Sequence, residues 1–287
     1  MKKILLLGST GFIGHNMLDS LHEQYSIISP THKELDVLDE AAVTEFIKRQ
    51  YYDVVLNCLD LHGMNGMYFE NKLRMFNNLA RCSEFYGKMI YFGTGAEYAR
   101  DLPVESIEEK DFDRKIPLDT YGSCMHQISK NAMISKNIYN LRLFGIFGKY
   151  EIWQHRFISN AICKAIYGYP ITIRQNLYFD YLYIDDLCDI VHWFIENTPK
   201  YHDYNAVSGK RYSLKELAEL VVLESKKELP VFIAKDGIGR EYSASNRRLC
   251  EEMIDFKPME IKKSIHQLMD WYMEHQEMID RFSLLYQ

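Results

Sequence analysis

A chain of 287 residues with 47% hydrophobic and 14% aromatic content is sized for one large α/β domain or a nucleotide domain plus a smaller lobe, which excludes extensive disorder. Its 34 Lys and Arg against 40 Asp and Glu leave a net charge of −6 without a basic block; a nucleic-acid footprint is excluded, and a small anionic ligand is not. Six scattered cysteines without a Cys-x-x-Cys pair, and ten histidines without metal-ligand spacing, give no metal site and no redox dithiol.

Met1-Lys2-Lys3 leads straight into an apolar run at 4–7, too short for an export signal or a membrane span, so a cytoplasmic protein without membrane contact is expected. Short apolar runs then alternate with segments of helical period. Strands are expected at 4–7, 26–29, 53–57, 88–92 and 138–143, and helices at 12–23, 41–49, 71–86 and 121–135. This pattern predicts an α/β fold, a doubly wound parallel (Rossmann) sheet covered by helices on both faces. Residues 101–119, with Pro103, Pro117 and many carboxylates, read as a surface excursion. Beyond about residue 150 the rhythm changes to a helix at 157–167, short strands at 171–173 and 181–184, and a helix at 185–196 opened by carboxylates that suit its dipole. A capping box, Ser213-Leu214-Lys215-Glu216, and a last helix at 261–272 follow. The expected division is 1–150 with about 185–199 for a dinucleotide, and 151–184 with 200–287 mainly as a smaller mixed α/β substrate lobe.

Three of the 15 glycines fall in Gly8-Ser9-Thr10-Gly11-Phe12-Ile13-Gly14, directly after the first strand and at the start of the first helix. Gly8 permits a sharp turn, Gly11 lets backbone approach a pyrophosphate, and Gly14 lets the helix pack close to the strand. Free N–H groups at the helix start then meet the anion. At the end of the second strand a carboxylate would bond the ribose 2′-OH of NAD, but Ser29-Pro30-Thr31 has none. His32 and Lys33 follow, which favours NADP(H) and leaves NAD(H) open.

The chain resembles the extended short-chain dehydrogenase/reductases that act on nucleotide-diphosphate sugars: NAD(P)-dependent epimerases, dehydratases and reductases. The resemblance covers nearly the whole length. It rests on Gly8 through Gly14, Glu34-Leu35-Asp36-Val37-Leu38-Asp39, Asp53-Val54-Val55-Leu56-Asn57, Asn71, Thr94 through Tyr98, Tyr121-Gly122-Ser123 and Phe179 through Leu187. The stretch 32–57 looks especially like GDP-fucose synthases. The resemblance implies that Asp36 and Val37 contact the adenine, that Leu59 faces the cofactor and that Tyr121 borders it. It also implies a nucleotide-diphosphate sugar as substrate and a homodimer paired through the helices at 71–86 and 121–135.

The family's chemistry uses Tyr-x-x-x-Lys, in which the ammonium one turn on favours phenolate and holds the nicotinamide ribose. Tyr121 is the tyrosine here, and the lysine position is Met125. Three readings compete. Another cation serves, although Lys130 lies about 180° around the helix and His126 off the face; Tyr121 stays neutral and acts as a general acid; or the site binds without turnover. Thr94 is the partner hydroxyl for the substrate oxygen. Dehydratases follow this threonine with Asp-Glu, where this chain has Gly95-Ala96, and Ala96 also replaces the cysteine that fucose synthases use for epimerisation. Keto-group reduction needs neither. The alternatives are an epimerase or dehydratase with retained NAD and a degenerate nucleotide-binding subunit. His155, Arg174 and Arg240 are candidate substrate contacts, the arginines because their fork suits phosphate oxygens.

Overall fold

The computed structural model describes residues 1–60 and 67–286. Its elements run β1 (Lys3–Leu7), α1 (Phe12–Leu21), β2 (Ser26–Ile28), α2 (Glu40–Lys48), β3 (Tyr52–Asn57), α3 (Tyr68–Arg81), β4 (Tyr86–Thr94), β5 (Val104–Ile107), α4 (Thr120–Met133), β6 (Ile138–Leu143) and β7 (Gly145–Phe147). They continue as α5 (Phe157–Ile166), β8 (Ile171–Asn176), β9 (Tyr178–Tyr183), α6 (Ile184–Glu196), β10 (Asp203–Ala206), β11 (Arg211–Ser213), α7 (Leu214–Ser225), β12 (Val231–Ile238), β13 (Tyr242–Ala244), α8 (Arg247–Glu252) and α9 (Ile261–Glu274).

Six strands form a parallel sheet in the order β10-β6-β4-β3-β1-β2. Successive residues of β1 serve opposite faces: Ile4 and Leu6 join one apolar core, Leu5 and Leu7 the other. A sheet buried on both sides explains why its strands read as continuous apolar runs rather than alternating ones. The fold is therefore α/β and doubly wound. The chain leaves β1 for β2 on one side and returns to β3 on the other, so the ends of β1 and β3 flank the crevice where such sheets bind ligands.

A second sheet, β11-β9-β13-β5 with β7 beside β9, and the pair β12-β8 make the smaller mixed part. β5 lies inside the expected surface excursion, yet Val104 and Ile107 are buried and the strand pairs in parallel with β13. Two further boundaries differ from the periodicity. α3 begins at Tyr68 and stops at Arg81, because Asn137 Nδ2 donates to the carbonyls of Ser83, Tyr86 and Gly87 (2.9, 3.2 and 3.1 Å) and turns the segment into β4. β10 was hidden because Asp203-Tyr204-Asn205-Ala206 is wholly buried while half polar.

Candidate functional site

β1 delivers Gly8 to the crevice. Its φ is +83°, and a Cβ on it would stand 2.9 Å from the Cys58 carbonyl carbon, so turn and close approach both require glycine. Packing requires Gly14 as well, since a Cβ there would lie 2.0 Å from the Gly8 carbonyl oxygen. Gly11 differs. A Cβ on it would meet the Gly8 oxygen at 3.5 Å, an ordinary contact, so the protein's own packing does not call for glycine there. Gly11 caps α1 without any side-chain hydrogen bond, which leaves the first N–H groups of the helix available to an anion.

On one side of this loop lies a cavity of about 280 Å³ lined by Gly8, Thr10, His32, Asp36, Val37 and Leu59, among others. Ser29 donates to Ser9 (2.6 Å) along its wall, and Asp36 accepts the Leu38 N–H (2.9 Å). Lys33 is exposed and does not line it. The carboxylate of Glu34 accepts both the N–H and the hydroxyl of Thr31 (2.7 and 2.8 Å), which holds its pKa below the usual range. It faces a separate hollow beside Phe46 and Arg49.

Leu59 also lines a second cavity of about 220 Å³, shared with Phe12, Ile13, Thr94, Tyr121 and Met125. Thr94 ends β4, caps the short 3-10 turn Gly95–Glu97 and accepts the Ala96 N–H (3.3 Å). Its hydroxyl sits close enough to the phenols of both Tyr121 and Tyr242 to favour their ionised forms. Burial raises the Tyr121 pKa above its ordinary value, the Thr94 hydroxyl opposing and the charges of Asp60 and Glu97 adding to the rise. Tyr121 is thus a protonated phenol across the neutral range.

Met125 is buried, its Sδ receiving the Tyr91 hydroxyl at 3.6 Å. Neither cation farther along α4 replaces it: Lys130 pairs with Asp113 (3.0 Å), and His126 Nδ1 sits 2.9 Å from the Glu97 carbonyl while the ring stacks on Phe112. Glu97, three residues past Thr94, is fully buried. It accepts the Thr94 N–H (3.0 Å), Asn140 Nδ2 and Arg142 Nε (2.6 Å), so it serves the scaffold.

A third cavity, about 280 Å³, holds His155, Glu151, Phe179 and Tyr181. His155 is exposed at the end of the short turn Trp153–His155. Burial pushes the Glu151 carboxyl up to about 8, against the hydrogen bond from Ser159 (2.5 Å) and the charge of Arg156. Arg156 lines both this cavity and the one containing Tyr121. Asp180 points elsewhere, accepting the Ser208 N–H and hydroxyl (2.9 and 2.7 Å) and the Gly209 N–H (2.9 Å). Arg174 is exposed on β8 and lines none of these cavities. Arg240 lines a fourth, about 350 Å³, where it donates to the Arg100 carbonyl (3.2 Å) beside Tyr242.

Sequence reasoning missed Lys72, Arg156 and Tyr242. Tyr68 and Lys72 carry a Tyr-x-x-x-Lys spacing on α3 that was legible, and Arg156 adjoins the histidine that was noticed. Nothing local marks Tyr242, which β13 brings to Thr94 from the far end of the chain. Among the described residues no cluster of His, Cys, Asp and Glu could hold a metal ion, and no helix is long and apolar enough to cross a membrane.

A glycine cradle at the turning point of a parallel sheet, joined to a cavity with a threonine–tyrosine pair, defines a dinucleotide-binding enzyme fold. The model of the NAD dependent epimerase/dehydratase family matches residues 4–206, and the chain belongs to that family. It is 20% identical over 249 residues to a GDP-L-colitose synthase of Yersinia pseudotuberculosis, covering 76% of this chain and 80% of that protein. Among solved structures it is similar to a GDP-L-fucose synthetase from Naegleria fowleri, at TM-score 0.83 and 15% identity over 96% of this chain and 94% of that one. The same enzyme is known bound to NADP (TM-score 0.81). A GDP-mannoheptose C4 reductase from Campylobacter jejuni with NADP bound is similar at TM-score 0.77 and 17% identity, over 95% of this chain and 98% of that one.

Proposed function

We propose that the protein reduces a keto group on a nucleotide-diphosphate (deoxy)sugar with NAD(P)H. The observation that carries this reading is the Thr94–Tyr121 pair: a hydroxyl and a phenol lining one cavity, the phenol kept protonated by burial. When bound, the nicotinamide supplies a hydride. Thr94 then bonds the carbonyl oxygen, and Tyr121 gives its proton to the oxygen as negative charge develops there. Dehydration, or epimerisation at a carbon beside the carbonyl, would need a further acid and base, and here Thr94 is followed by Gly95-Ala96 while Glu97 is committed to Arg142 and Asn140.

Gly8, Thr10, Gly11, Phe12, Ile13 and Gly14 hold the pyrophosphate side of the cofactor, with Asp36, Val37 and Leu59 around its adenine end. NADP(H) is the preferred form, because His32 lines that cavity and no carboxylate stands in Ser29-Pro30-Thr31, while Glu34 lines the adjoining hollow. The substrate's diphosphate and sugar fall to Arg156 and His155, with Arg174 and Arg240 as outer contacts. Residues 1–150 with about 185–199 form the cofactor part, and 151–184 with 200–287 the sugar-nucleotide part, apart from β5, β7 and β10, which cross over. A homodimer completes the proposal, to be read by light scattering.

The test is oxidation of NADPH at 340 nm in the presence of a 4-keto sugar nucleotide. Exchangeable NADPH consumed in step with substrate, and a loss of about 10²-fold or more in Tyr121→Phe, are expected. Retained NAD with redox-neutral turnover would overturn the reductase in favour of an epimerase or dehydratase. The buried Met125 favours one second reading, a nucleotide-binding subunit without turnover, which predicts tight cofactor binding and no oxidation with any keto sugar.

A further inference from the structure

Lys72 is an ammonium where an ammonium is expensive. It projects from α3, its side chain is only 7% exposed, and it lines the same cavity as Thr94, Tyr121 and Met125. Among the described residues its polar partners are Asp60 Oδ1 at 3.5 Å and the Tyr68 hydroxyl at 3.4 Å. Both contacts are at the long end of hydrogen bonding, and the Asp60 side chain is half exposed. A buried amino group held only by two long contacts, one of them to a half-exposed carboxylate, is poor structural glue. Its reach toward α4 is direct: its charge opposes the burial that raises the Cys124 thiol, and Cys124 adjoins Met125.

The helices themselves are in register for this. Cys124 Sγ meets the Phe69 carbonyl at 3.4 Å, and the Phe69 and Tyr121 rings lie 6.2 Å apart. One face of α3 thus abuts the start of α4, and Lys72 comes one turn after Tyr68 on that side. At the equivalent turn of α4, Met125 is spent as an apolar plug against Tyr91.

We propose that Lys72 supplies from α3 the cation that α4 lacks at Met125, gripping the hydroxyl-bearing part of the dinucleotide in this cavity beside the Tyr121 phenol. The inference rests on the dinucleotide reading above and goes further by assigning the missing charge to a different helix. It accounts at once for a buried lysine with weak partners and for a tyrosine site that keeps its threonine but loses its lysine.

The experiment titrates NADPH and NADH into wild-type protein, Lys72→Met, Lys72→Gln and the double variant Lys72→Met/Met125→Lys, following binding by calorimetry and folding by thermal melts. Lys72→Met is expected to melt near the wild type and to bind the preferred dinucleotide about tenfold or more weakly, as for loss of a charged hydrogen bond. Lys72→Gln, which keeps a polar side chain should the methionine variant fail to fold, is expected to show a similar loss. The double variant should regain most of the affinity, a rescue that a merely structural lysine would not give. Wild-type affinity in a folded Lys72→Met or Lys72→Gln protein would overturn the assignment of Lys72 and leave the dinucleotide reading standing. A wild-type protein that binds neither dinucleotide would overturn the reading itself.

Discussion

At Tyr121 the balance of forces sits on the side of the proton. Burial opposes the phenolate, and Thr94 alone does not offset it. A lysine introduced by Met125→Lys places positive charge one turn away and lowers the phenol's pKa. In the proposed reduction Tyr121 is the acid, so activity should be lost as pH rises through its pKa, and the substitution should move that loss to lower pH. A pH–rate profile checks this, with an unshifted alkaline limb as the contrary result. Melting temperature should fall at the same time, because Met125 is buried and would give up its contact with Tyr91. The glycines divide in the same residue-by-residue way. Gly14→Ala should unfold or strongly destabilise the protein, whereas Gly11→Ala should melt near the wild type and bind dinucleotide weakly, since its methyl group fits the protein and intrudes on the anion. Melts paired with cofactor titration separate the two. The glycine loop, Thr94, Tyr121 and Met125 were legible because each sits at a fixed offset from a strand end or helix turn. Tyr242 was not, because β13 brings it to the site across a contact that no local pattern encodes; for Lys72 the spacing from Tyr68 was legible and only its reach into the cavity was not.

Among the elements, β6 is held by a buried guanidinium. Arg142 is fully buried and donates to Glu97 (2.6 Å), Asp203 (2.5 Å) and Ser129 (2.8 Å), joining the turn after β4, the start of β10 and the body of α4. Removing one partner of such a group strands the others, which costs about 3–5 kcal/mol. Arg142→Met should therefore lower the unfolding free energy from a urea titration by that amount, shift its midpoint down accordingly, and loosen the turn carrying Thr94, so any activity falls together with stability. An unchanged midpoint would show that the network is dispensable. The alternation of strands and helices through β6 was readable from apolar runs, which β6 keeps at Tyr139, Leu141 and Leu143 although Asn140 and Arg142 share its other face. β10 escaped because its buried aspartate and asparagine satisfy partners elsewhere: Asp203 takes Arg142 and Arg248, and Asn205 takes Glu109, Tyr98 and the Ile107 carbonyl. Polar residues inside a sheet look like a loop until their partners are known.

Over the whole molecule, burial pushes several carboxyl groups upward, furthest at Glu151 to about 8, Asp180 to about 7 and Asp186 to about 6. Their unfolded counterparts ionise near 4, so between about pH 4 and 8 the folded state holds more protons than the unfolded chain. Stability contributed by these groups is full at the acid end of that window and declines as pH rises through it. Melts at pH 5.5 and 8.5 should show the decline, and Glu151→Gln should flatten it; a slope unchanged in the variant would discount Glu151.

Strand β10 has a consequence for how the molecule comes into being. The central sheet is completed by residues 203–206, made after α5, β8, β9 and α6 have already left the ribosome. Until then Arg142 lacks Asp203, and the edge of β6 has no neighbour on its outer side. The six-stranded sheet therefore cannot finish folding ahead of the rest, as an N-terminal domain ordinarily does during synthesis. A nascent chain arrested before Asp203 should stay open to protease, and one arrested a few dozen residues beyond Ala206 should acquire resistance in a single step.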